Sequence, residues 1–321
     1  MNHPKPGTAE YQEHVVEEIE CFSRFFKDGE GHETLHIPIP PSWQEAERRA
    51  AMVILEKTGA FINGHIDERL KRCPHPRLLS LGSGPGGMEI SYAQTTPHAE
   101  IVCMDLNPEV LDLGRERAGQ LGLKMEFIPT DLNVVELPEN EFDIVYCAAS
   151  LHHIIELERL AEQIRKTLKA DGDLVVIDVI PPSGYLMWPE TREVVQAIFK
   201  TLPQRFRVNH TGYSVPRVDE EIWEADTSQY GMECVRSGDI VGVLGSAFPI
   251  KAFVPYFSIS RRLLDSMYGP NYDLADPLSN ATFNWIWEMD RYYIESNMLL
   301  PETFFGIYGN DKTKVVNWQQ R

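Results

Sequence analysis

Residues 78–93 read LLSLGSGPGGMEISYA, with glycine at 82, 84, 86 and 87 directly after an apolar run. Gly82, Gly84 and Gly87 satisfy GxGxxG, while Gly82, Gly84 and Gly86 satisfy GxGxG. Glycines in this place let the chain turn tightly and let a ligand approach the main chain. The first turn of the helix that follows offers unpaired N–H groups to the same ligand. The chemistry implied is the binding of an adenosine-bearing cofactor. The run alone does not separate a nicotinamide dinucleotide from S-adenosylmethionine.

Asp105 closes the next apolar run, EIVCMDL, and lies 23 residues after Gly82. A carboxylate there accepts hydrogen bonds from two ribose hydroxyls, which both cofactors require. PTDL at 129–132 sets Asp131 at the end of a third run, in reach of an adenine amino group. EFDIVYCAASLHHI at 141–154 ends in the small residues Ala148 and Ala149, followed by His152 and His153.

This succession resembles the class I S-adenosylmethionine-dependent methyltransferases over about residues 77–180. The resemblance implies that Gly82, Ser83, Gly84 and Gly86 lie beside the methionine portion of S-adenosylmethionine. It implies Asp105 and Leu106 at the ribose, Asp131 and Leu132 at the adenine, and Ala148 facing the reactive methyl. Ser80 stands where many members carry an acid, and its hydroxyl is expected on the cofactor's amino group. LHHI after the fourth strand is common in the family's small-molecule branch. WEADTSQYGMECVRSGDIVGVLGSAF and MDRYYIESNMLLPETFFGIYG are similar to bacterial methyltransferases of glycan or secondary-metabolite pathways.

Methyl transfer from a sulfonium is an in-line displacement, so the protein mainly positions the acceptor and excludes water. A hydroxyl acceptor also needs a base, and an imidazole titrates near neutrality. His153 is the expected base, with packing beneath the cofactor as the alternative role for either histidine. Asp178, ending the fifth apolar run, either orients substrate or a histidine, or caps a turn. Tyr11, His14 and Tyr213 are expected acceptor contacts. A catechol-type metal site would want an acid after the fourth strand and an Asp-Asn pair after the fifth. The sequence has AASLHH and DVIPP there, so no metal is expected. Two other readings stay open: an NAD-dependent oxidoreductase, and a methyltransferase fold that does not methylate.

The elements that must position these residues follow from periodicity. Tyr11, Val15, Ile19, Phe22 and Phe26 recur at helical spacing and predict a first helix over 8–27. KDGEGHETLHIPIPPSW reads as an ordered loop. Ser42 with Glu45 forms a capping box for a helix over 43–56, and a third helix is expected over 60–71. From residue 77, short apolar runs rich in β-branched residues alternate with helical segments, which predicts a parallel sheet with helices on both faces. The expected fold is a Rossmann-like, doubly wound, mostly parallel seven-stranded sheet. Residues 1–72 form a helical cap, 73–180 the cofactor-binding core, and 181–321 a substrate-binding, largely helical insertion plus late strands that complete the sheet.

The 48 acidic and 30 basic residues give the chain a formal charge of −18, which disfavours nucleic acid and anionic membrane surfaces as partners. Five scattered cysteines, none in CxxC spacing, argue for a reducing, cytoplasmic location and against a disulfide framework or structural zinc. The expected partner is a small-molecule acceptor, with a homo-oligomer compatible with the sequence.

Overall fold

Five runs rich in β-branched and apolar residues form parallel strands, and the central ones are covered on both faces. They are β1 (Arg77–Leu81), β2 (Glu100–Asp105), β3 (Met125–Pro129), β4 (Phe142–Ala148) and β5 (Leu168–Val179). A two-stranded ribbon, β6 (Val208–Asn209) and β7 (Arg217–Val218), stands apart from them. Two late strands, β8 (Ile250–Tyr256) and β9 (Thr303–Gly309), complete a seven-stranded sheet in the order β3-β2-β1-β4-β5-β9-β8. β9 runs antiparallel to both of its neighbours. The computed structural model describes residues 3–27, 39–211, 214–229 and 231–311. Most of the loop expected after the first helix, and Tyr213, lie outside the described residues.

Helices cover both faces. α1 (Ala9–Lys27), α2 (Pro41–Thr58) and α3 (Ile62–Arg72) precede the sheet, and α4 (Gly87–Thr95), α5 (Pro108–Gln120) and α6 (Leu157–Thr167) link its strands. α7 (Pro189–Thr201), α8 (Ile240–Ala247), α9 (Ile259–Leu264) and α10 (Pro277–Glu295) belong to the late segment. Alternation along β1 sorts the core: Leu78 joins Ile54, Ile66 and Ile90 on one face, while Leu79 joins Leu160, Ile164 and Leu244 on the other.

Helix starts follow local chemistry. Asn107 caps α5, its side chain accepting from the Glu109 and Val110 N–H groups, and Pro108 occupies the first turn. Asp276 caps α10 in the same way, accepting from Ser279 N–H. The capping box expected at Ser42 does not form. α2 begins two residues earlier at Pro41, Ser42 Oγ donates to Gly269 O at 2.8 Å, and Glu45 pairs with Arg48 and Arg49. A buried tertiary acceptor has taken the hydroxyl from the local one.

The strand order reverses between β1 and β4, and at that switch point the carboxyl ends of the strands leave a crevice. The glycine run and the AASLHH segment leave the sheet on its two sides.

Candidate active site

The chain leaves β1 through Gly82 at φ 70° and Gly84 at φ 53°, both in the left-handed region. A Cβ at Gly82 would stand 2.4 Å from Ser150 Cβ, so the loops after β1 and β4 touch only because this residue is glycine. The turn brings Gly84 N–H to Asp105 Oδ2 at 2.8 Å, and Asn107 N–H reaches Asp105 Oδ1 at 2.9 Å. Burial pushes the Asp105 carboxyl up, and the two backbone donors pull against it. Its orientation is thus set from both sides, with lone pairs left for a ligand.

A cavity of about 320 Å³ opens here. Gly82–Pro85, Asp105–Asn107, Asp131–Asn133, Ala148–Ser150 and His153 line it from the sheet side, and Glu18, Ile19, Phe22 and Met232 close it. Ser150 Oγ is buried on this lining without a hydrogen-bond partner in the described residues.

Of the residues singled out in the sequence, Gly82, Ser83, Gly84, Asp105, Leu106, Asp131, Leu132, Ala148 and His153 meet in this cavity. Others do not. Ser80 is buried within β1 and donates to Glu89 Oε1 at 2.6 Å, so it does not reach a ligand. Gly86 stands outside the lining as the N-cap of α4 at φ 68°, and a Cβ there would meet the Phe127 ring at 3.1 Å. Asp178 is 2% exposed and outside the lining. It accepts from Ser150 N–H, Leu151 N–H and His152 Nδ1, at 3.1, 2.7 and 2.5 Å, which makes it the organiser of the turn after β4.

Tyr11 and His14 also stand outside the cavity. The Tyr11 hydroxyl donates to Asp131 at 2.9 Å, and His14 Nδ1 donates to Gly231 O at 2.7 Å. Both tie α1 down. Glu17 and Glu18 add bonds from Gly231 N–H and Met232 N–H, and Asn107 Nδ2 donates to Ile19 O and Ser23 Oγ.

His153 Nδ1 lies 2.7 Å from Glu18 Oε1, and its Nε2 lies 3.6 Å from Glu233 Oε2. Burial opposes the imidazolium, but the Glu18 and Glu233 carboxylates outweigh it and push His153 up to about 9. Burial likewise opposes ionisation of Glu18, yet the His153 charge and the Met232 N–H hold its carboxyl below the usual range.

Sequence reasoning missed Glu18, Asn107, Asn133, Ser150 and Met232. Asn107 had a legible signal, an Asn-Pro helix start beside the ribose-type acid. Glu18 and Met232 had none, because only tertiary packing brings α1 and the 231–235 strap over β4.

Residues 78–172 match the family described as a methyltransferase domain. The core is a class I S-adenosylmethionine-dependent methyltransferase domain. A demethylmenaquinone methyltransferase from Thermus thermophilus is 29% identical over 117 residues, 36% of this chain and 53% of that protein. A sterol 4-C-methyltransferase from Caenorhabditis elegans is 25% identical over 133 residues, 41% of this chain and 39% of that protein. The chain thus spans about half the length, or less, of these curated relatives. A putative sarcosine dimethylglycine methyltransferase from Galdieria sulphuraria shares the fold, with TM-score 0.50 and 13% identity over 90% of this chain and 98% of that one. In the methyltransferase domain, the matched segment supplies the sheet side of the cavity, and residues outside it supply the cover. No described helix is long and apolar enough to cross a membrane.

Proposed function

We propose that the chain transfers the methyl group of S-adenosylmethionine to an oxygen atom of a small-molecule acceptor in a biosynthetic pathway. The observation that carries this reading is the cavity where Gly82–Gly84, Asp105, Asp131 and Ala148 converge at the switch point of a methyltransferase domain. A carboxylate held by two backbone N–H groups, an orphan Ser150 hydroxyl and two left-handed glycines suit a ligand rich in hydroxyl and amino groups.

Asp105 would hold the ribose, Ser83 and Gly84 the methionine portion, and Asp131 with Leu132 the adenine edge. Asp131 has lone pairs to spare beyond the bonds from Tyr11 and the Asn133 N–H. When bound, S-adenosylmethionine supplies a methyl group already activated on a sulfonium. Ala148 leaves room beside that methyl, and α1 with Met232 excludes water from it. His153 faces the same space and serves as the base for a hydroxyl acceptor. Its partner Glu18 keeps it protonated at neutral pH, so it takes a proton only when that pair opens or the pH is high.

Curated relatives named as a sterol 4-C-methyltransferase and as ubiquinone/menaquinone biosynthesis C-methyltransferases favour one second reading, transfer to carbon. Calorimetric titration with S-adenosylmethionine and NAD tests the cofactor: binding of NAD alone overturns the proposal. Release of S-adenosylhomocysteine across a panel of phenols, hydroxy acids and quinols tests the transfer. NMR of the product tells an O-methyl from a C-methyl group.

A further inference from the structure

We propose that His152, Glu233 and Cys234 form a binding site for a divalent metal of zinc's class, beside the cavity and independent of the methyl-transfer reading. The donor atoms of these three residues all lie within 4.8 Å of one another. His152 Nε2 is 3.6 Å from Glu233 Oε1, and Cys234 Sγ is 3.4 Å from the same oxygen. Metal–ligand bonds of about 2.0–2.3 Å at tetrahedral angles separate neighbouring donors by roughly 3.3–3.8 Å. The two distances are therefore those of tetrahedron edges. The first of them is too long for a hydrogen bond.

The imidazole is prepared for this role. His152 is 6% exposed, and its Nδ1–H is committed to Asp178 Oδ1 at 2.5 Å. That bond fixes the ring's orientation and leaves Nε2 with the free lone pair, the carboxylate–histidine arrangement that supports metal ligation. The backbone is prepared as well. Neighbours on an extended chain point to opposite sides, but Cys234 sits at φ 52° and breaks that alternation, so the Glu233 and Cys234 side chains converge. Val235 N–H donates to His152 O at 3.1 Å and Gly184 N–H to Cys234 O at 2.9 Å, pinning the ligand-bearing segments together.

The donor set names the ion class. Thiolate, imidazole and one carboxylate suit zinc and disfavour magnesium and calcium, which take oxygen ligands. On loading, the metal replaces the thiol proton, which leaves to solvent, and the Sγ–Glu233 hydrogen bond gives way to two metal bonds. His153 does not join the three donors that lie within 4.8 Å of one another, so the fourth corner falls to water. Met232 lines the cavity directly before Glu233, so the ion would lock the strap that covers it.

Cobalt(II) added to chelator-treated, intact protein is the test, read by absorbance. One equivalent should give the intense visible bands of a tetrahedral ion and a near-ultraviolet thiolate-to-cobalt band. Cys234→Ser should lose the near-ultraviolet band, whereas Cys21→Ser and Cys73→Ser should keep it. Asp178→Asn should weaken affinity by about 10–100-fold, as removal of an outer hydrogen-bond partner does. If Cys234→Ser or Asp178→Asn unfolds by circular dichroism, Glu233→Gln serves in its place and should lose the tetrahedral visible bands. Absence of both bands in the wild type, or bands unchanged in folded Cys234→Ser and Glu233→Gln, overturns the site. Equal competition by magnesium overturns the ion class.

Discussion

The Glu18 carboxylate on α1 lies 2.7 Å from Nδ1 of His153, the residue that ends the turn after β4. The pair joins the cover of the cavity to its floor. Both side chains are largely buried, and each ionises more readily because the other is there.

That linkage has a pH signature. His153 is raised, so its contribution is complete below the ordinary imidazole value of 6.5 and is lost as pH climbs through about 9. Glu18 is lowered, so its share is lost only as pH falls below the ordinary carboxyl range. The thermal midpoint of the wild type should fall between pH 6.5 and 9 relative to His153→Gln, by an amount worth roughly 3 kcal/mol at most. Parallel curves for the two proteins would show that the pair does not form in solution.

The same shift displaces the expected rate profile. If His153 takes the acceptor's proton, turnover should rise with pH through about 9 and not through an ordinary imidazole value. His153→Ala should lower turnover by roughly 10²–10⁴-fold and erase that limb. A retained limb in the variant would place the base elsewhere.

Cofactor affinity should rest on Asp105. S-adenosylhomocysteine should raise the wild type's thermal midpoint by mass action, and Asp105→Ala should lose most of that rise. An equal rise in both proteins would mean that the ribose is held by other residues.

Tyr11 tests the cover. Its hydroxyl donates to a carboxylate, a bond worth about 1.5–3 kcal/mol, so Tyr11→Phe should loosen α1. Release of S-adenosylhomocysteine should accelerate by about 10–100-fold in stopped-flow displacement. An unchanged release rate would show that α1 does not gate the cavity.

Gly82→Ala tests the loop contact. The added methyl meets Ser150 Cβ at 2.4 Å on a left-handed backbone. Chemical denaturation should report a loss of about 2–4 kcal/mol, combining strain with overpacking. Wild-type stability would mean that the loops after β1 and β4 are not in contact.

Much of this protein was determined by local sequence. Five parallel strands, both late strands and the acids at the ends of β2 and β3 were legible because strand periodicity and strand-end position are local properties. The class I family was legible for the same reason, since its motifs fall at successive strand ends.

Tertiary structure decided which of those residues face a ligand. Ser80 lies only two residues before Gly82, yet Glu89 on α4 takes its hydroxyl into the core. Asp178 was visible as a strand-end acid, but the donors of residues 150–152 turn it inward. Tyr11 was visible on a helical stripe, but only the docking of α1 sets its hydroxyl on Asp131. Likewise Glu18 meets His153, and Glu233 meets His152, across separations at which sequence carries no distance information. A side chain's partner is chosen by packing of whole elements, and periodicity along one element does not encode that choice.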